Sequence, residues 1–187
     1  MNFHGTTILA VRHNGRVTVA GDGQVTLNAT VIKHKARKVR RIYNEKIIVG
    51  FAGATADALN LSEKLEGKLE RYNGNLIRSA VELARDWRTD KFLRRLEAMM
   101  IAVDETQMLL ISGNGDVIEP DDPVIGIGSG GVAATAAAKA LLTHADALGM
   151  DSRTIVTEAM EIASGLCIYT NTSFSIEEIN AGGDAGE

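Results

Sequence analysis

The chain has 187 residues, 45% of them hydrophobic, and 20 Lys and Arg against 24 Asp and Glu give a net charge of −4. This length suits one domain with a sizeable core, and the acidic balance argues against nucleic acid as a partner. A single cysteine, Cys167, excludes an intramolecular disulfide framework, no apolar stretch reaches membrane-span length, and Met1-Asn2-Phe3-His4-Gly5 is too short and polar for a secretory signal; a cytoplasmic protein away from membranes is expected.

In chain order, Thr7–Val11 and Val17–Ala20 are strand-like apolar runs joined through Asn14-Gly15, a good hairpin pair. Ile47–Phe51 is another strand. Leu61, Leu65, Leu69 and Tyr72 then fall on one face of a helix, which Asn73-Gly74-Asn75 breaks. Ala80, Ala84 and Trp87 form a second helical stripe, with Leu93 and Leu96 further on. Strands return at Met99–Val103, Met108–Ser112, Val117–Glu119 and Val124–Ile127. An alanine-rich helix is expected from Val132 to Leu148, stopped by Gly149. Asp151 or Ser152 caps the next helix, whose stripe is Ile155, Val156, Ala159, Ile162, Ala163 and Leu166. A short final strand is expected at Cys167–Tyr169, and the tail 181–187 is expected to be disordered. Strand runs alternate with helix pairs, which points to an α+β fold of antiparallel sheets covered by helices.

Several stretches carry chemistry. In Gly5-Thr6-Thr7, a cut after Gly5 would give Thr6 a free α-amine beside its hydroxyl. An N-terminal amine titrates at about 8 and can serve as the base for such a hydroxyl; the plainer reading is a short tail before the first strand. Gly21-Asp22-Gly23 is a turn, or a carboxylate placed to orient a cation. The basic run from Lys33 to Arg41 is a solvated face, or brings one lysine inward to lower a nucleophile's pKa. Gly50–Asp57 and Gly126–Gly131 are glycine turns opening helices, suited to an oxyanion hole or an anion cradle. Neither has the Lys-Ser/Thr of a P-loop, so no ATP is expected on this chain. Ser129 is a hydroxyl relay or an N-cap. Cys167 reads as a buried structural thiol, and the four histidines show no metal-ligand spacing.

Taken together, Gly5-Thr6-Thr7-Ile8, Gly21-Asp22-Gly23-Gln24, Ala36–Arg41, Gly50-Phe51-Ala52-Gly53, Thr55–Ala58, Val81–Asp90, Leu96-Glu97-Ala98, Gly113–Val117, Ile127–Gly131 and Cys167–Asn171 resemble the HslV (ClpQ) family of proteasome-related peptidases. The resemblance runs from Thr6 to about Ile179. It implies an N-terminal-nucleophile hydrolase fold, a four-layer αββα sandwich, over residues 6–180, with residues 1–5 as a propeptide. It implies a dodecamer of two stacked hexameric rings, an HslU-type AAA+ ATPase partner that holds the ATP site, and unfolded polypeptide substrates.

By the same resemblance Thr6 is the nucleophile. Asp22 and Lys38 support it, Lys38 rather than Lys33 by its place in Ala36–Arg40. Gly53 N–H serves the oxyanion and Ser129 relays the amine's proton. Carbonyls of Ser164, Cys167 and Thr170 hold a monovalent cation, Na+. The chain departs from the family in three ways. Five residues precede Thr6, and Asn2 is too bulky for ready aminopeptidase trimming, so self-cleavage at Gly5–Thr6 is expected. Ser164 stands where glycine is usual, and the Gly/Asp-rich tail is unlike the family's. Two other classes fit parts of the sequence. A non-catalytic ring subunit would keep residues 1–5, and a small-molecule amidase of the same fold would need no ATPase.

Overall fold

The computed structural model describes residues 3–4, 6–53, 55–91, 93 and 98–180. Leu96 and the tail 181–187, for which sequence expectations were given, lie outside them.

The first long strand, β2 (Thr7–His13), turns at Asn14-Gly15 into β3 (Arg16–Gly21). Both turn residues have positive φ, 47° and 68°, as a two-residue hairpin turn requires. These strands form the middle of a four-stranded antiparallel sheet. Its edges are β11 (Val124–Gly128) beside β2 and β12 (Ser175–Asn180) beside β3. A five-stranded antiparallel sheet contains β6 (Val39–Ile42), β7 (Ile47–Ala52), β8 (Met99–Val103), β9 (Met108–Ser112) and β10 (Val117–Ile118), paired in the order 10-9-8-7-6.

Period-2 alternation decides the layering. On β7, Ile47, Val49 and Phe51 face α1 (Thr55–Arg71) and α2 (Leu76–Thr89), while Ile48 and Ala52 face the other sheet. On β2, Ile8 and Ala10 point between the sheets, and Leu9 and Val11 point to α3 (Gly131–Leu142) and α5 (Ser152–Leu166). The result is helix pair, sheet, sheet, helix pair: the four-layer α+β sandwich expected of an N-terminal-nucleophile hydrolase. Leu61, Leu65 and Leu69 form the fully buried stripe of α1. Leu65→Ala should cost about 2–5 kcal/mol, read as a lowered urea midpoint at unchanged slope; an unchanged midpoint would show that this stripe does not hold the helix layer.

The structure corrects two expectations and adds two features. The long alanine-rich helix is broken at Thr143–His144. There the Thr143 hydroxyl bonds back to the Lys139 carbonyl and His144 N–H bonds to Leu141 O, tightening the turn before α4 (Ala145–Leu148). Cys167–Tyr169 is a turn after α5, not a strand. The last strand is β12, which turns Ile176 and Ile179 to opposite faces and so shows no alternation. A third small sheet also exists: β4 (Val25–Leu27) lies between β5 (Thr30–Lys33) and β1 (Phe3–His4). Finally, the basic run is not only a solvated face, since β6 buries Val39 and Ile42 within it. Among the described residues no helix is long and apolar enough to cross a membrane.

Candidate active site

The site forms where β2, β3, β11 and the approach to β6 begin or end together. Thr6 precedes β2 and is 7% exposed. Its carbonyl accepts from Ser129 N–H at 2.9 Å and from the Ser129 hydroxyl at 3.3 Å. Gly128 makes this approach possible. It has φ +86°, and a Cβ there would lie 2.0 Å from the Thr6 carbonyl oxygen. Ala52, the residue before Gly53, borders the same spot at 3.3 Å. Gly128→Ala should therefore displace Thr6, costing about 2 kcal/mol or more together with most peptidase activity. A variant matching wild type in melting temperature and turnover would contradict this packing.

Thr7 locks the residue behind Thr6. Its N–H donates to Asp22 Oδ1 at 2.7 Å, and its carbonyl accepts from Asp22 N–H at 3.1 Å. Its hydroxyl shares a 2.7 Å hydrogen bond with the Thr170 hydroxyl and accepts from Gly130 N–H at 3.0 Å.

Asp22 is fully buried and is the hub. Its Oδ1 also accepts from Lys38 Nζ at 2.8 Å, and its Oδ2 from Gln24 N–H at 2.9 Å. Lys38 donates further to the Gln24 carbonyl at 2.6 Å. Its own carbonyl accepts from Phe51 N–H, tying the lysine to β7. Burial lowers the Lys38 pKa below its ordinary value, against the opposing pull of the Asp22 carboxylate. Thus Lys38 meets Asp22, Ser129 meets the Thr6 carbonyl, and Thr7, bonded to Asp22, lies between these two pairs in the chain; Lys33 is exposed on β5. Gly53 is exposed at the end of β7, with φ +147°.

Cys167 is not a buried core thiol but partly exposed. Burial raises its thiol pKa, and hydrogen bonds with the Thr170 and Ser129 hydroxyls and the Tyr169 backbone outweigh this and lower it. Sequence reasoning missed the Thr7–Thr170 hydroxyl pair and Asn171. The Asn171 Oδ1 accepts from Gly23 N–H at 3.1 Å, and its Nδ2 donates to the His34 carbonyl at 2.9 Å.

The carbonyls expected to hold Na+ fit a hard cation chemically. Ser164 lies in the last turn of α5, where carbonyls lack helical donors and the dipole is negative. Cys167 O accepts the backbone N–H of Thr170 in the turn that follows. Among the described residues no cluster of three or more His, Cys, Asp or Glu could hold a metal.

Comparison with known proteins agrees with this architecture. The proteasome subunit family matches residues 2–179. The ATP-dependent protease subunit HslV of Sulfurihydrogenibium sp. (strain YO3AOP1) is 63% identical over 174 residues, covering 93% of this chain and 96% of that protein. The subunit of the same name from Aquifex aeolicus (strain VF5) is 59% identical over 179 residues, covering 96% and 100%. Among solved structures, eukaryotic HslV from Trypanosoma brucei superposes with a TM-score of 0.87 at 45% identity, covering 93% of this chain and 99% of that one. Thiobacillus denitrificans BPH in complex with epoxomicin shares the fold, with a TM-score of 0.72 at 16% identity and coverage of 95% and 100%. The chain belongs to the HslV family, and is a proteasome-like threonine-type peptidase of the N-terminal-nucleophile class.

Proposed function

We propose that Thr6 is the nucleophile of a peptidase subunit that works with an HslU-type AAA+ ATPase on unfolded polypeptides. The observation that carries this is the buried Asp22 carboxylate, which joins the Lys38 ammonium to the N–H of Thr7 directly behind Thr6. A cation held there favours the neutral amine and the deprotonated hydroxyl of Thr6. The Thr6 hydroxyl attacks the scissile carbonyl carbon and its proton passes to the Thr6 amine. The Ser129 hydroxyl relays that proton; its bond to the Thr6 carbonyl supports this reading. Gly53 N–H stabilises the oxyanion.

The free amine arises by self-cleavage. The Thr6 oxygen attacks the Gly5 carbonyl, the Gly5–Thr6 C–N bond breaks to leave an ester, and water hydrolyses it, releasing residues 1–5. Two anchors flank the bond and support this reading. Upstream, β1 pairs with β4 with Phe3 opposite Leu27 and His4 opposite Thr26. Downstream, Thr7 is bonded to Asp22.

The family likeness supports a ring assembly of two stacked hexamers, and the carbonyls of Ser164, Cys167 and Thr170 as the Na+ ligands. The test is degradation of an unfolded protein by processed enzyme, alone and with the ATPase and ATP. Stimulation of at least about 10-fold, the 1.4 kcal/mol scale of a modest coupling between sites, is expected. Equal rates with and without the ATPase would favour a free-standing amidase instead.

A further inference from the structure

We propose that Gln24 is a positioning residue for the peptidase site, because its buried amide ties the Lys38–Asp22 pair to the turn at Cys167–Asn171. The inference rests on the role given to Lys38 above. The Lys38 ammonium has two named anchors: the Asp22 carboxylate and the backbone carbonyl of Gln24. A backbone carbonyl holds a lysine in place only if the backbone itself is held.

Residues 22–24 belong to no strand, so sheet pairing does not fix them. Individual hydrogen bonds do so instead. Gln24 N–H donates to Asp22 Oδ2 at 2.9 Å. Gln24 is 6% exposed, and its Nε2 donates to the Ile168 carbonyl at 2.9 Å and to the Thr26 hydroxyl at 3.0 Å. Without those donors the part-buried contact with the Ile168 carbonyl is lost, and the Gln24 backbone keeps only its bond to Asp22 and is held less firmly against the lysine.

This arrangement also gives the site a handle on the surface. Ile168 presents its carbonyl inward to Gln24 while the residue itself is 80% exposed. Asn171 fastens the same turn to Gly23 and His34. Whatever moves the turn therefore moves Lys38 through Gln24.

The test uses the assembled, processed protein carrying Gln24→Leu, which keeps the volume and removes both donors. Lys38 is labelled with an N-hydroxysuccinimide ester and read by mass spectrometry, which needs no turnover. In parallel, kcat and KM on a fluorogenic peptide are measured across pH and normalised to sites counted with a covalent titrant. Lys38 should label severalfold faster than in wild type. The kcat per site should fall about 10- to 100-fold, the scale of a misplacement near 1 Å, with KM unchanged. The acid limb of kcat/KM should move to higher pH, because a displaced cation lowers the Thr6 amine less.

Loss of titratable sites with wild-type labelling and an unmoved pH profile would reduce Gln24 to a packing role and overturn the proposal. If Lys38 labels faster but Lys38→Ala keeps full activity, the positioning by Gln24 stands and the catalytic reading of Lys38 falls. Should Gln24→Leu fail to assemble, Gln24→Met has the same reach without a donor and serves the same test.

Discussion

Thr6→Ala protein should keep residues 1–5 and show no measurable peptide hydrolysis, with intact mass and turnover as the readouts. Alanine lacks the hydroxyl proposed to attack both the Gly5 carbonyl and a substrate carbonyl. Removal of a covalent nucleophile costs on the order of 10⁴-fold or more, and the remaining groups act as a unit with it. Thr6→Ser keeps an oxygen but loses the methyl that restricts χ1, so it should process more slowly and retain part of the activity. Acetylating processed wild type at Thr6 should abolish turnover while leaving the hydroxyl intact, which separates the base from the nucleophile. If residues 1–5 remain on wild type as well, the non-catalytic subunit becomes the better reading. If Thr6→Ala loses them, another residue or a contaminating protease makes the cut.

The layers of this fold were legible where a strand is buried on both faces or a helix carries one apolar stripe. Thr7–Val11 and Ile47–Phe51 are buried on both faces, and Leu61, Leu65 and Leu69 repeat at helical spacing, so composition and period sufficed. Edge strands hid. β6 buries Val39 toward the second sheet and Ile42 toward the helices, with Arg40 and Arg41 half-exposed between them. It therefore reads as a charge run. β12 behaves likewise with Ile176 and Ile179. At the site, the family's motifs, not spacing, point to Thr6, Asp22, Lys38 and Ser129: no local pattern says that residue 22 meets residue 38. The Thr7–Thr170 hydroxyl pair spans 163 positions and has no signature in sequence. An apolar flank makes Cys167 read as a core thiol, whereas the end of α5 opens onto the hydroxyls of Ser129 and Thr170.

Removing the Lys38 ammonium should damage activity and stability by different routes, and the two can be separated. Lys38→Met leaves the fully buried Asp22 carboxylate without its cation. Breaking one side of such a pair costs about 3–5 kcal/mol. Adding Asp22→Asn removes the stranded charge but turns its amide NH2 toward one of the two backbone donors that Asp22 accepts, so the double variant should recover part of the stability. It should recover none of the activity, since no cation then acts on Thr6. Recovery of both would make the pair purely structural.

The pH dependence gives a second, independent sign. Burial lowers the Lys38 pKa in the native state, so between that value and the ordinary lysine value near 10.4 the unfolded chain binds more protons at this group. Its contribution to stability therefore rises with pH across that window. Activity should do the opposite there, because the ammonium that favours a reactive Thr6 is being lost. Wild type compared with Lys38→Met by urea unfolding should show a stability difference that grows on the alkaline side while wild-type kcat/KM declines. Lys38→Arg, whose guanidinium keeps its charge throughout, should push that alkaline decline to higher pH even where its fit to Asp22 and Gln24 lowers the plateau. An alkaline limb that stays in place with arginine at this position would mean that some other group sets it.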